Sequence, residues 1–185
     1  MTKVMFYNTI RPMFGGHLSQ SQVDGIETIL DACSSITDER HLAYILATCF
    51  HETAKTMQPI EECGKGKGHT YGHKIKRSGL PYTVPDHIYY GRGYVQLTWH
   101  ENYKYLGLLI GKDLLNHPEL ALLPEIAAKI MIMGMTKGCF TGVKLDTYFN
   151  DHRTDAENAR RIINGTDVAK IIAGYYNTFY KALIS

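Results

Sequence analysis

Apolar positions recur at helical spacing in five long stretches of the chain, so the periodicity predicts a mainly α protein. The first stretch opens at Ser19-Gln20-Ser21-Gln22, a capping box, and carries Val23, Ile26, Ile29, Leu30 and Cys33 as its stripe. Gly25 interrupts it, which suggests close packing. The second begins near Thr37-Asp38-Glu39 and buries Leu42, Ile45, Leu46 and Cys49. The third spans roughly 99–110, with Tyr103, Leu106, Leu109 and Ile110 inward. The fourth starts at Pro124 and stops before Gly138. It is apolar around much of its girth, which marks it as the central core helix. Shorter helices are expected at 144–149 and 155–163. Thr166 should cap a last helix with Val168, Ile171, Ile172, Tyr175 and Phe179 inward.

Strand signal is weak except at 88–98, where Val95 and Leu97 alternate with Tyr94, Gln96 and Thr98. An extended backbone there would point Gln96 and Thr98 the same way and offer an amide and a hydroxyl, groups that suit sugar hydroxyls and acetamido substituents. Thr98 to Glu101 also reads as a capping box. Residues 57–92 have no helical period. Within them Gly64 to His73 forms a basic, glycine-rich loop, read either as a solvated surface or as a rim that meets acidic groups on a polymer. No internal repeat or linker divides the chain, so residues 1–185 are expected to form one domain without a separate wall-binding module.

Composition narrows the function classes. A net charge of +2 is too small to argue for nucleic acid. No stretch reaches the roughly 20 apolar residues of a membrane span, and the N-terminus lacks a signal-peptide core, so no stable membrane insertion is expected. Cys33, Cys49, Cys63 and Cys139 are widely spaced and read as reduced thiols of a protein made in a cytoplasm.

Two sets of side chains carry candidate chemistry. Glu52 lies about 20° from Ile45 on a helical wheel, at the edge of an apolar face, while His51 points away from it. A carboxylate there must be partnered or protonated. Glu61 and Glu62 follow just after Pro59, where the chain can turn back toward Glu52. Two carboxyls in different settings can serve as acid and base at one pH. A separation of about 6.5 to 9.5 Å would admit a water and give inversion at a glycosidic carbon. Metal chemistry has less support among the nine histidines, since His51-Glu52-Thr53-Ala54-Lys55 lacks the second histidine of H-E-x-x-H. No metal or cofactor is expected.

Three blocks taken together resemble glycoside hydrolase family 19, the family of plant-type chitinases and many phage endolysins. They are Ala47 to Thr53 with His51-Glu52-Thr53, then Tyr89-Tyr90-Gly91-Arg92-Gly93-Tyr94-Val95-Gln96-Leu97-Thr98 with Asn102-Tyr103, then Arg161-Ile162-Ile163-Asn164-Gly165. The resemblance implies a lysozyme-like, bilobal helical domain with a substrate cleft and little β structure. It implies Glu52 as general acid, its carboxyl raised by apolar neighbours. It implies Glu61 as general base, with Glu62 as the alternative, and Thr98 as a holder of the attacking water. His51, Tyr90, Gln96, Asn102, Tyr103, Arg161 and Asn164 fall on substrate-binding or cleft-lining positions.

Two departures, Lys55 in place of the glycine of H-E-T-x-G and the absent cysteine framework of secreted chitinases, resemble the endolysin branch. That branch implies a monomer acting on peptidoglycan glycan strands. It would wait in the host cytoplasm and reach the periplasm and wall once a holin has opened the inner membrane. A chitinase on the same fold, or a non-catalytic wall-binding protein, stand as alternatives.

Overall fold

The computed structural model describes residues 2–185. Six α-helices carry the fold: α1 (Lys3–Ile10), α2 (Gln20–Ala32), α3 (Glu39–Glu52), α4 (His100–Ile110), α5 (Pro124–Lys137) and α6 (Ala169–Ile184). Four strands of two residues each complete it, in chain order β1 (Ile60–Glu61), β2 (Arg92–Gly93), β3 (Phe149–Asn150) and β4 (Arg153–Thr154). β1 pairs antiparallel with β2, placing Ile60 opposite Gly93 and Glu61 opposite Arg92. β3 pairs antiparallel with β4.

Local signals decide most helix ends. The Ser19 capping box forms in both directions, and Asp38 caps α3 through Arg40 N–H. Pro124 opens α5, and Gly138 closes it in the left-handed region at φ 71°. Gly25 is required by packing: a Cβ there would lie 1.9 Å from the Met57 carbonyl oxygen.

Several expectations are corrected. α1 gives no clear signal in the sequence, because only Phe6 and Ile10 of its eight residues are buried, too narrow a stripe to stand out. α3 is wrapped rather than amphipathic: Ala43 to Phe50 is buried without a break, between α6, α2 and α5. Leu109 is exposed on α4. α6 begins after Val168 at φ 52°, so Thr166 does not cap it; the inward set is Ala169, Ile172, Tyr176, Phe179, Ala182 and Leu183, while Val168 and Ile171 face out. The expected helices at 144–149 and 155–163 are short 3-10 turns at Leu145–Thr147 and Asn158–Ile162.

The core falls into two apolar clusters. The larger joins α1, α2, α3 and α6 with Ala127, Ala128, Met131 and Met135 of α5. The smaller gathers Tyr82, Tyr89, Leu97, Tyr103, Leu106, Leu114 and Ala121 on Ile126 and Ile130, also of α5. The expectation of a central α5 holds in this sense: the helix walls both clusters. Among the described residues no helix is long and apolar enough to cross a membrane.

Candidate active site

Glu52 is the last residue of α3, and the chain leaves the helix immediately after it. Thr53, fully buried, fixes the exit: its hydroxyl donates to the Cys49 carbonyl at 2.7 Å and accepts from the Met57 N–H at 3.1 Å. Ala54, Lys55 and Met57 all have positive φ, 48°, 69° and 55°. Lys55 therefore occupies a left-handed position that favours glycine, the residue it replaces in H-E-T-x-G.

The structure gives the Glu52 carboxyl a charged partner on one of its two oxygens. Arg160, only 4% exposed, donates from Nη1 to Oε1 of Glu52. Its Nη2 lies 3.6 Å from Asp167. This ion pair joins the apolar neighbours expected around Glu52. Behind the pair runs a polar seam. Tyr44 and Thr48 precede Glu52 by two turns and one turn on the same face. Their hydroxyls, and Nε of Arg160, are buried without hydrogen-bond partners among the described residues. The sequence points to the neighbouring Arg161, not to Arg160. Arg161 is exposed, and its carbonyl accepts from the Thr141 hydroxyl at 2.7 Å. Asn164 is also exposed and turns its side chain onto the Gly165 N–H at 2.9 Å.

Glu61 and Glu62 have separate duties. Glu62 accepts from the Gly91 N–H at 2.9 Å, from the Gly66 N–H at 3.3 Å and from the Tyr71 hydroxyl at 3.2 Å, with His69 3.8 Å away. It is a staple between the 64–73 loop and the Gly91 turn. Glu61 keeps about a third of its side chain exposed. The Tyr90 hydroxyl donates to its Oε1, and Lys65 Nζ stands 3.3 Å from its Oε2. Tyr90 first, and Lys65 after it, hold this carboxyl below its ordinary range against a smaller desolvation effect.

The Tyr89 to Thr98 block is a scaffold folded back on itself. Arg92 and Leu97 exchange backbone hydrogen bonds of 3.2 and 2.8 Å, and Gln96 sits at φ 52°. The extended reading of 94–98 is thus corrected to a tight turn, in which Tyr94, Val95 and Leu97 are all buried. Gln96 donates to the Ile60 carbonyl at 3.1 Å, tying the turn to β1, and its Oε1 would lie 2.6 Å from any Cβ at Gly91. Arg92 stacks over the Tyr90 ring at 3.6 Å and donates to the Tyr103 hydroxyl at 3.0 Å. That hydroxyl donates in turn to the Tyr90 carbonyl at 2.8 Å. Tyr103 is fully buried, so it positions Tyr90 and does not touch substrate, a correction to its expected role.

Thr98 does not cap α4. The cap residue is Trp99, at φ 74°, with no side-chain cap bond. Glu101, the other half of the expected box, accepts the Arg77 N–H at 2.9 Å instead. Thr98, Asn102 and His51 are half-buried, and the His51 ring lies 6.4 Å from Tyr175. Among the described residues no group of three or more His, Cys, Asp or Glu is assembled that could hold a metal ion. All four cysteines are free thiols.

The chain is similar to known proteins. A family model described as chitinase class I, of glycoside hydrolase family 19, matches residues 23–137. An acidic endochitinase SP2 of Beta vulgaris is 32% identical over 118 residues, which is 64% of this chain and 35% of that one. An endochitinase 1 of Theobroma cacao is 36% identical over 104 residues, half of this chain and 32% of that one. The chain thus spans about a third of the length of the curated relatives it matches. In three dimensions it resembles chitinase C of Streptomyces griseus, with a TM-score of 0.67, 23% identity and coverage of 100% of this chain and 76% of that one. It also resembles a class IV chitinase of Zea mays, with a TM-score of 0.62, 18% identity and coverage of 100% and 92%. Those two likenesses establish the lysozyme-like helical fold.

Proposed function

The chain belongs to glycoside hydrolase family 19, and from that premise we propose that it is an endolysin that hydrolyses the β-1,4 bond between N-acetylmuramic acid and N-acetylglucosamine of peptidoglycan, with inversion. The observation that carries the mechanism is the contrast between the adjacent carboxylates. Glu62 is consumed by three donors, while Glu61 is open to solvent and kept ionised by Tyr90. An ionised, accessible carboxylate is what a general base requires.

In the proposed reaction Glu52 is the general acid. Arg160 engages Oε1, which leaves Oε2 to carry the proton to the glycosidic oxygen as the C1–O bond breaks. Glu61 takes a proton from water, and the oxygen of that water bonds C1 from the opposite face. The new hemiacetal is α, and the two carboxyls exchange protonation states until solvent restores them. Thr98, whose hydroxyl is not used as a cap, steadies the water, and Asn102 and His51 border the sugar.

In this reading the protein acts as a monomer. It reaches the wall from the host cytoplasm after a holin has opened the inner membrane. Its four free cysteines suit a protein made in a reducing cytoplasm, and the lysine-rich loop beside Glu61 suits an anionic glycan. Chitin is the second substrate to weigh, because the named relatives are chitinases; the chemistry at C1 would be the same.

The deciding experiment is mass spectrometry of purified peptidoglycan after digestion and borohydride reduction. Reduced N-acetylmuramic acid ends are expected. Reduced N-acetylglucosamine ends would move the cleaved bond, and freed peptides on intact glycan would overturn the glycosidase reading.

A further inference from the structure

Residues 64–77 hold a concentrated run of positive charge. They include Lys65, Lys67, Lys74, Lys76 and Arg77, with His69 and His73, and no Asp or Glu. Against 20 Lys and Arg and 18 Asp and Glu in the whole chain, the remainder carries more acids than bases. So the modest positive excess of the protein is local, and it adjoins Glu61.

The segment is folded, not a loose tether. Successive turns close it, Lys67 N–H on the Gly64 carbonyl at 2.9 Å, His69 N–H on Gly66 at 3.0 Å and Gly72 N–H on His69 at 2.9 Å. Glu62 pins it from inside. His69 stacks on Tyr71 at 5.0 Å, and Tyr71 meets the edge of Trp99 at 5.6 Å. Arg77 lies 5.8 Å over Trp99. Two lysines are occupied, Lys65 by Glu61 and Lys74 by Asp86. Lys67 and Lys76 have no ion-pair partner among the described residues. Lys67 is exposed, and Lys76 borders a hollow with His100, Glu101, Lys104 and Tyr105, in which the Glu101 carboxylate already accepts the Arg77 N–H.

A neutral glucosamine polymer gains nothing from such a field, whereas a polymer bearing carboxylates is drawn to it. We propose that the 64–77 segment is a cationic rim that makes the site prefer carboxylate-bearing glycan over neutral glycan, with Lys67 and Lys76 as its contacting charges. The proposal rests on the reading of this site as a glycan hydrolase. A wall glycan offers carboxylates from two sources, the stem peptides and, where these are removed, the lactyl group of muramic acid.

Binding is measured in the E52Q background, so that turnover does not enter. The E52Q protein is co-sedimented with purified sacculi, with peptide-stripped glycan and with chitin particles, with and without K67E/K76E, across a range of salt. E52Q should bind the anionic polymers more tightly than chitin. The added K67E/K76E change should weaken that binding about tenfold at low salt, less at high salt, and leave chitin binding unchanged. A loss confined to sacculi assigns stem-peptide carboxylates, and a loss on stripped strands assigns the lactyl groups. K67Q/K76Q, which removes charge without reversing it, should give a smaller loss in the same direction and guards against misfolding. Equal losses on chitin, no loss on either anionic polymer, or no initial preference over chitin would overturn the proposal. None of these results bears on which bond the wild-type protein cleaves, which is read from the reduced ends.

Discussion

Glu52 is held by Arg160, a residue 108 positions further along the chain and almost wholly buried. The pair joins the end of α3 to the 3-10 turn before α6. Removing one member of a buried pair strands the other, at a cost of roughly 3–5 kcal/mol. R160A should therefore lower unfolding free energy by about 3 kcal/mol and abolish turnover together. E52Q keeps an acceptor for Arg160, so it should lose turnover by at least about a hundredfold with a much smaller loss of stability. Urea denaturation beside wall-lysis assays checks both, and near wild-type lysis by E52Q would remove Glu52 from the acid role.

The Tyr90 hydroxyl is the leading cause of the depressed Glu61 carboxyl. A base works only when deprotonated, so activity is lost as pH falls through its value. Y90F should move the acid limb of the kcat/KM profile to higher pH, toward the ordinary carboxylate range. The same lowering stabilises the folded state above the unfolded carboxylate value and is lost as pH falls through the folded one. An acid limb that stays in place in Y90F would mean another group is titrating.

Glu62 neighbours Glu61 yet is committed to the loop. E62A should raise proteolytic cleavage within 64–73 and reduce kcat/KM about tenfold, whereas E61A should leave the loop protected and remove turnover. Limited proteolysis with mass spectrometry separates the two. The reverse pattern would exchange their assignments.

Gly25 meets the Met57 carbonyl where the chain has just left Glu52. G25A forces α2 away from that bend and should cost about 2–3 kcal/mol. A thermal melt would detect it, and an unchanged melting temperature would show that the bend yields.

Much of this architecture was legible because its causes are local. Ser19, Asp38, Pro124 and Gly138 act on backbone within a turn of themselves, and sequence displays that distance directly. Thr98 and Thr166 carry the same chemistry but fail as caps, since the chain enters those helices through left-handed Trp99 and Val168. The alternation at 94–98 misled for a related reason: one positive φ at Gln96 turns a strand pattern into a closed loop. The motif blocks nominate Glu52 and Glu61. They could not separate Arg160 from Arg161, because a one-residue choice between adjacent arginines depends on the path of the chain over a hundred positions. Nor could spacing distinguish Glu61 from Glu62; the three donors that claim Glu62 come from residues 66, 71 and 91.

α5 lends Ala127, Ala128, Met131 and Met135 to one apolar cluster and Ile126 and Ile130 to the other. Neither half of the molecule owns its partition. Loosening the small cluster uncovers a helix on which the large one leans, so each half insures the other against melting alone. Heat should thus reveal one transition, with the calorimetric and van't Hoff enthalpies equal. Such coupling leaves no half-open form for proteases to find.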